Sequence, residues 1–141
     1  MAEMKHQIPI KAAPTKAFAA LATQAGLRSW WTADTQAEER VGGTAEFGFD
    51  RRGMVFRMKI EQLEAGKRVV WSCHGDHPEW AGTTLTWDIA AENGTTVLRF
   101  THSGWKAVTD FFAMCNSIWG ELMYRLKAYV EVKNPGPRWK E

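Results

Sequence analysis

No apolar run in this 141-residue chain approaches the roughly 18 residues that span a bilayer, so membrane insertion is not expected. The polar opening, Met1 to Gln7, lacks the apolar stretch of a secretory signal. Only two cysteines are present, Cys73 and Cys115, both inside apolar patterns and without framework spacing. They read as reduced packing thiols, and a cytoplasmic location follows. Eighteen Lys and Arg against sixteen Asp and Glu leave a formal charge of only +2. The charges are scattered, so nucleic acid is not an expected partner. There is no Gly-rich phosphate loop, no nucleophile elbow and no paired-carboxylate motif. Repeats, linkers and low-complexity segments are absent as well, which fits a single domain over residues 1–141.

Aromatic rings are what the chain has in excess. Eight tryptophans stand among the 141 residues, including the pair Trp30-Trp31, with Trp139 in the tail. Each indole brings a large apolar surface and one N–H that wants a partner when buried. So many wide rings suit a sheet curved around one helix, with space for a guest.

Periodicity supplies the elements. Lys5 to Ile10 reads as a short opening strand. Pro14 suits a first helical turn, and Thr15 to Ala22 continues the helix to a stop at Gly26. Leu27 to Trp31 adds a second short helix, and Asp34 to Gly43 reads as a loop. Period-two alternation then takes over in five runs between Thr44 and Ser103. The inward sets are Ala45, Phe47 and Phe49; Met54, Phe56, Met58 and Ile60; Val69, Trp71 and Cys73; Leu85, Trp87 and Ile89; and Leu98, Phe100 and His102. Turn residues at Asp50 to Gly53, Ala65 to Lys67 and Asn93-Gly94 punctuate this antiparallel meander, which the opening strand joins. From about Val108 the period returns to 3.6. Val108, Phe112, Cys115, Trp119, Leu122, Leu126 and Tyr129 form one stripe, ending at Asn134-Pro135-Gly136-Pro137. The predicted fold is α+β: about six antiparallel strands wrapped around a long C-terminal helix, with two short helices after the first strand. Trp119 is expected at the centre of that packing, and Lys127, off the stripe, as a free surface residue.

Several stretches carry a resemblance. Ile10-Lys11-Ala12-Ala13-Pro14, Gly26-Leu27-Arg28-Ser29-Trp30-Trp31, the run from Thr95 to Trp105, Trp119 in the last helix, Leu126 to Glu131 and Pro135-Gly136-Pro137 together resemble the START-like, or SRPBCC, helix-grip superfamily. More narrowly, they resemble the domain family named after the activator of the ninety-kilodalton heat-shock-protein ATPase. The resemblance implies a cavity between sheet and helix. Relatives use it to bind lipids, sterols, hormones or polyketides, and a minority use it for cyclase or dehydratase chemistry. The name-giving co-chaperone has further sequence outside this domain, which ranks a protein-interaction role last. Fold alone does not fix function.

The expected function is binding of a small apolar or aromatic molecule, with a polyketide cyclase-like enzyme as the alternative. The expected wall comprises Phe47, Phe56, Met58, Trp71, Leu85, Trp87, Phe100, Phe112, Cys115 and Trp119. Trp30 and Trp31 either gate the cavity mouth or plug the core. His102, on the inward face, either orients a ligand or acts as acid or base, or is a hydrogen-bonded structural histidine. Cys73-His74-Gly75-Asp76-His77 contains zinc or iron ligand types, but without finger spacing and on alternating faces, so it reads as a turn and not a metal site. Glu46, Asp88, Arg57 and Arg99 fall on outward faces as solvated cross-strand charges. No cofactor is expected, and the chain is a monomer or homodimer. A guest of about 20 heavy atoms at about 0.3 kcal/mol each would bind with a dissociation constant of tens of micromolar.

Overall fold

A computed structural model describes all 141 residues. Strand β1 (Ala2–Ile10) leads into α1 (Pro14–Ala22) and α2 (Gln24–Trp30). Six further strands follow: β2 (Thr35–Ala37), β3 (Thr44–Phe49), β4 (Met54–Glu64), β5 (Arg68–Cys73), β6 (Thr84–Glu92) and β7 (Thr95–Trp105). Helix α3 (Asp110–Val130) closes the order. The strands form one antiparallel sheet, β1-β7-β6-β5-β4-β3-β2, in which the opening strand lies beside the last. The sheet has seven strands where about six were expected. The extra one, β2, lies inside the stretch read as a loop and pairs with β3 through three residues, too few for alternation to register.

The alternation holds along most strands. Phe47, Met58, Ile60, Val69, Trp71, Leu85, Trp87, Leu98, Phe100 and His102 are all buried on the concave face. The exceptions lie at the start of β4, where Met54 is 37% exposed and Phe56 is half-buried. A register shift between Ile60 and Gln62 bends the same strand further along.

Helix α3 spans 21 residues, about 31 Å at 1.5 Å per residue. Thr109 caps it, its hydroxyl accepting the Phe112 N–H at 3.1 Å, and Asp110 complements the N-terminal dipole. Cys115, Trp119, Leu122, Met123, Leu126 and Val130 face the sheet. Val108 falls before the helix and is exposed, so the stripe begins one turn later than the periodicity suggests. No helix is long and apolar enough to cross a membrane.

Gly26 is not the stop of the first helix. Helix α1 ends at Ala22, Thr23 caps α2 by accepting the Gly26 N–H at 3.0 Å, and Gly26 lies inside α2. A Cβ there would stand 2.7 Å from the Ala20 Cα, so glycine is what lets the two short helices cross so closely. Trp30 locks that crossing by donating its indole N–H to the Ala20 carbonyl at 2.9 Å.

Lys127 is not a free surface residue either. Its ammonium donates to the Pro9 carbonyl at 2.6 Å and to Glu131 at 2.8 Å, and Glu131 accepts the Lys11 N–H at 2.7 Å. Those contacts hold the Glu131 carboxyl down at about 2 and tie the end of β1 to the last turn of α3. Tyr124, 68% exposed on the same helix, is the better neutral reference. Trp119→Ala should lower stability by about 3–5 kcal/mol and Tyr124→Ala by no more than about 0.5 kcal/mol. Urea melts of the two variants test this, and coincident midpoints would contradict the packing described here.

Candidate functional site

Large rings fill the middle of the helix–sheet interface. Trp87 lies 4.2 Å from Phe100 and 5.6 Å from Trp71 between ring centroids, and Trp119 lies 4.5 Å from Phe100. Space opens toward one end, between the first half of α3 and the β3–β4 hairpin. There an apolar cleft of about 210 Å³ is bounded by Trp31, Phe49, Met54, Phe56, Trp80, Phe111, Met114, Cys115, Ile118, Trp119, Leu122 and Trp139. Asp50 is the single charged residue on its wall.

Four of the expected site residues border this cleft: Trp31, Phe56, Cys115 and Trp119. The other nine lie away from it. Phe47, Met58, Trp71, Leu85, Trp87 and Phe100 are buried in the core, Phe112 packs edge-on against Trp105 at 5.0 Å, and Trp30 joins α1 to α2. His102, the ninth, is fully buried beside Trp80 and Trp105, each 4.8 Å away.

The hydrogen bonds around His102 fix its tautomer. The Thr83 hydroxyl donates to the Trp80 carbonyl at 2.6 Å, so it accepts from the His102 Nε2–H at 2.8 Å. Nδ1 is then a bare acceptor with no partner in the protein. Burial pushes the imidazole down to about 3 from its ordinary 6.5. The ring is therefore neutral at physiological pH, set among indoles and away from the cleft. Burial also raises the two thiols, Cys73 to about 12 and Cys115 to about 11, so neither is a thiolate nucleophile.

The stretch from Cys73 to His77 splays apart. Cys73 is buried, His74 lies 3.3 Å from the Ser72 hydroxyl, Asp76 pairs with Arg57, and His77 stacks on Phe111 at 4.1 Å. No three His, Cys, Asp or Glu side chains gather as metal ligands anywhere in the chain.

Two walls of the cleft come from segments without periodicity. Trp80 sits in the β5–β6 connection, which Arg57 holds through Asp76 (2.5 Å) and Thr109 holds by donating to Glu79 (2.6 Å). Trp139 sits in the tail, where the Arg138 and Trp139 N–H groups both donate to the Trp31 carbonyl, at 2.8 and 3.1 Å. Alternating charges on the outer face, Asp76–Arg57–Glu46–Arg52–Asp34, join the Trp80 loop to the segment after Trp31. Asp34 lies so close over Gly48 that any Cβ there would overlap its carboxylate. Each exposed pair contributes little stability, but together they set where two cleft walls stand.

A seven-stranded antiparallel sheet gripping one long C-terminal helix, with two short helices inserted after the first strand, defines the START-like helix-grip class. Within it, the chain belongs to the family described as Activator of Hsp90 ATPase homolog 1-like protein, whose model matches residues 11–131. Among solved structures it is similar to the Aha1 dimer from Colwellia psychrerythraea, at 37% identity over 94% of this chain and 98% of that one, with a TM-score of 0.86. A protein from Mesorhizobium loti shares the fold at 16% identity, over 92% of this chain and 97% of that one (TM-score 0.81). DynU16, from the dynemicin biosynthetic locus, shares it at 18% identity, over 94% of this chain and 48% of that one (TM-score 0.76). No curated protein matches the sequence.

Folding holds the His102 imidazole well below its ordinary value because the ring is buried. Between about pH 6.5 and pH 3 the unfolded chain takes up a proton at this position that the folded chain refuses, so acidification through that window removes stability. Nitrogen-15 shifts of the ring should report the neutral, Nε2-protonated form at pH 5. An imidazolium at pH 5 would contradict the buried placement.

Proposed function

We propose that the chain binds one small apolar or aromatic molecule in the cleft between α3 and the β3–β4 hairpin. The observation that carries this reading is the wall itself, aromatic and aliphatic throughout except for Asp50, beside an otherwise packed interior. Met54 and Met114, 37% and 52% exposed, flank the opening with flexible side chains suited to admitting guests of differing shape.

The volume sets the size of the guest. A cavity of about 150 Å³ holds a benzene, so the cleft at about 210 Å³ takes one or two fused rings, about ten heavy atoms. At about 0.5 kcal/mol per atom, binding is near −5 kcal/mol, a dissociation constant of hundreds of micromolar. The guest is thus about half the size that the sequence suggested, and held more weakly. Binding is favoured over catalysis because acid–base chemistry needs at least two convergent titratable groups. His102 lies outside the cleft, and Asp50 stands on its wall without a second charged group.

Ile118→Trp should fill the cleft from the helix side. Titration with naphthalene or indole, followed by calorimetry, should show at least a tenfold loss of affinity while the thermal midpoint stays within a few degrees. Unchanged affinity in a folded variant would overturn the assignment of the cleft.

A second reading concerns assembly. The Colwellia relative is a dimer, and at 37% identity over nearly the whole chain we propose the same state here. Sedimentation equilibrium at micromolar concentration should return twice the 16.0 kDa chain mass. A single 16.0 kDa species would contradict it.

A further inference from the structure

We propose that the guest of this cleft is an aromatic amine, its ammonium group held among the indole faces at the mouth and paired with Asp50. The inference rests on the cleft being a binding site and adds the charge of what it binds.

Five rings on the wall form a closed circuit. Phe49 lies 5.6 Å from Phe56, Phe56 4.2 Å from Trp80, Trp80 6.2 Å from Trp119, Trp119 5.2 Å from Trp31, and Trp31 6.0 Å from Phe49. All five border the cleft. An aliphatic guest of this size needs only leucine and isoleucine around it. Aromatic rings offer something more: although Phe56 and Trp80 stack face to face, any π-face left free on the wall carries a negative quadrupole that attracts a cation within about 6 Å of the ring centroid. The protein already uses one neighbouring ring in this way, since the Arg138 guanidinium stands 4.4 Å from the centroid of Trp139, itself on the wall.

Charge points the same way. No Lys or Arg is among the residues of the wall, so a carboxylate or phosphate on the guest would meet Asp50 with no cation on the wall to pair with. The two arginines that follow Asp50 are committed elsewhere: Arg51 to Glu141 at 2.6 Å, and Arg52 to Asp34 at 2.8 Å and to Glu46. Asp34, Glu46 and Asp76 each hold an arginine on the outer face, whereas Asp50 borders the cleft and its carboxylate forms no ion pair within the protein. The turn that presents it is unusual as well. Asp50, Arg51 and Arg52 adopt φ of 51°, 56° and 65°, three successive side-chain-bearing residues in the left-handed region, where L-residues are sterically disfavoured. That turn carries the chain from β3 to β4 with Asp50 on the wall.

Three soluble probes of near-equal size and different charge test the proposal: 3-phenylpropylamine, 3-phenylpropan-1-ol and 3-phenylpropionate, each about ten heavy atoms, the size that the cleft admits. Titrations of the intact chain, followed by calorimetry at low salt, should rank amine above alcohol by about tenfold or more, with the propionate weakest. The preference for the amine should shrink as salt is added. Asp50→Asn, which keeps a residue that tolerates left-handed φ, should bring the amine down to the affinity of the alcohol and leave the alcohol unchanged. If the alcohol binds as tightly as the amine, or if Asp50→Asn leaves the preference intact, the charge assignment falls while the cleft remains a binding site. If none of the three binds, the cleft reading falls and this inference with it.

Discussion

Trp31 touches every layer of the molecule. Its ring lies 4.2 Å from Phe47 on β3, 6.2 Å from Trp71 on β5 and 5.2 Å from Trp119 on α3, while Trp30 stacks against it from α2 at 5.8 Å. Its carbonyl, meanwhile, accepts the Arg138 and Trp139 N–H groups and so fixes where the tail runs. A rigid, wide side chain at the end of a seven-residue helix therefore sets the separation of α3 from the sheet and brings Trp139 to the mouth of the cleft. The tight crossing of α1 and α2 at Gly26, and the Trp30 bond to Ala20, fix the end of α2 from which that ring projects.

The position of the cleft follows from the same constraint. Trp87, Phe100 and Trp119 interlock beneath the middle of α3, their rings tilted or edge-on to one another. Toward the β3–β4 side the sheet has to close over the N-terminal half of the helix with residues from a loop and a tail. Irregular segments fill space less evenly than strands do, and the gap is left there. The outer-face chain of charges from Asp76 to Asp34 steadies these segments from behind. A solid core under the centre of the helix and an open end beside it are thus two results of one packing problem.

What the sequence made legible is what periodicity records. The 3.6-residue stripe located α3, and alternation located five strands with their inward faces, because a buried face repeats along each of these elements. Strand β2 escaped because three residues cannot show a period. Gly26 was misread because a glycine that ends a helix and one that permits a close crossing look the same in one dimension. The cleft was only partly legible for a related reason. Alternation says which face a residue takes, and not how far along the interface the packing runs out. Phe47, Trp71, Trp87 and Phe100 were accordingly placed on the wall although they fill the core. Trp80 and Trp139, which do line it, lie in segments with no repeat to mark them. The surplus of tryptophan was the one signal that pointed to both.

The central proposal is that the apolar space bordered by Phe49, Phe56, Trp80, Trp119 and Trp31 accepts one aromatic molecule. Crystals grown with iodobenzene test it most directly, because the anomalous scattering of iodine marks its position without reference to any expected site. The account predicts a single strong peak inside that circuit of rings, with the five side chains displaced little. A circuit closed on itself without iodine, or peaks confined to the molecular surface, would contradict it.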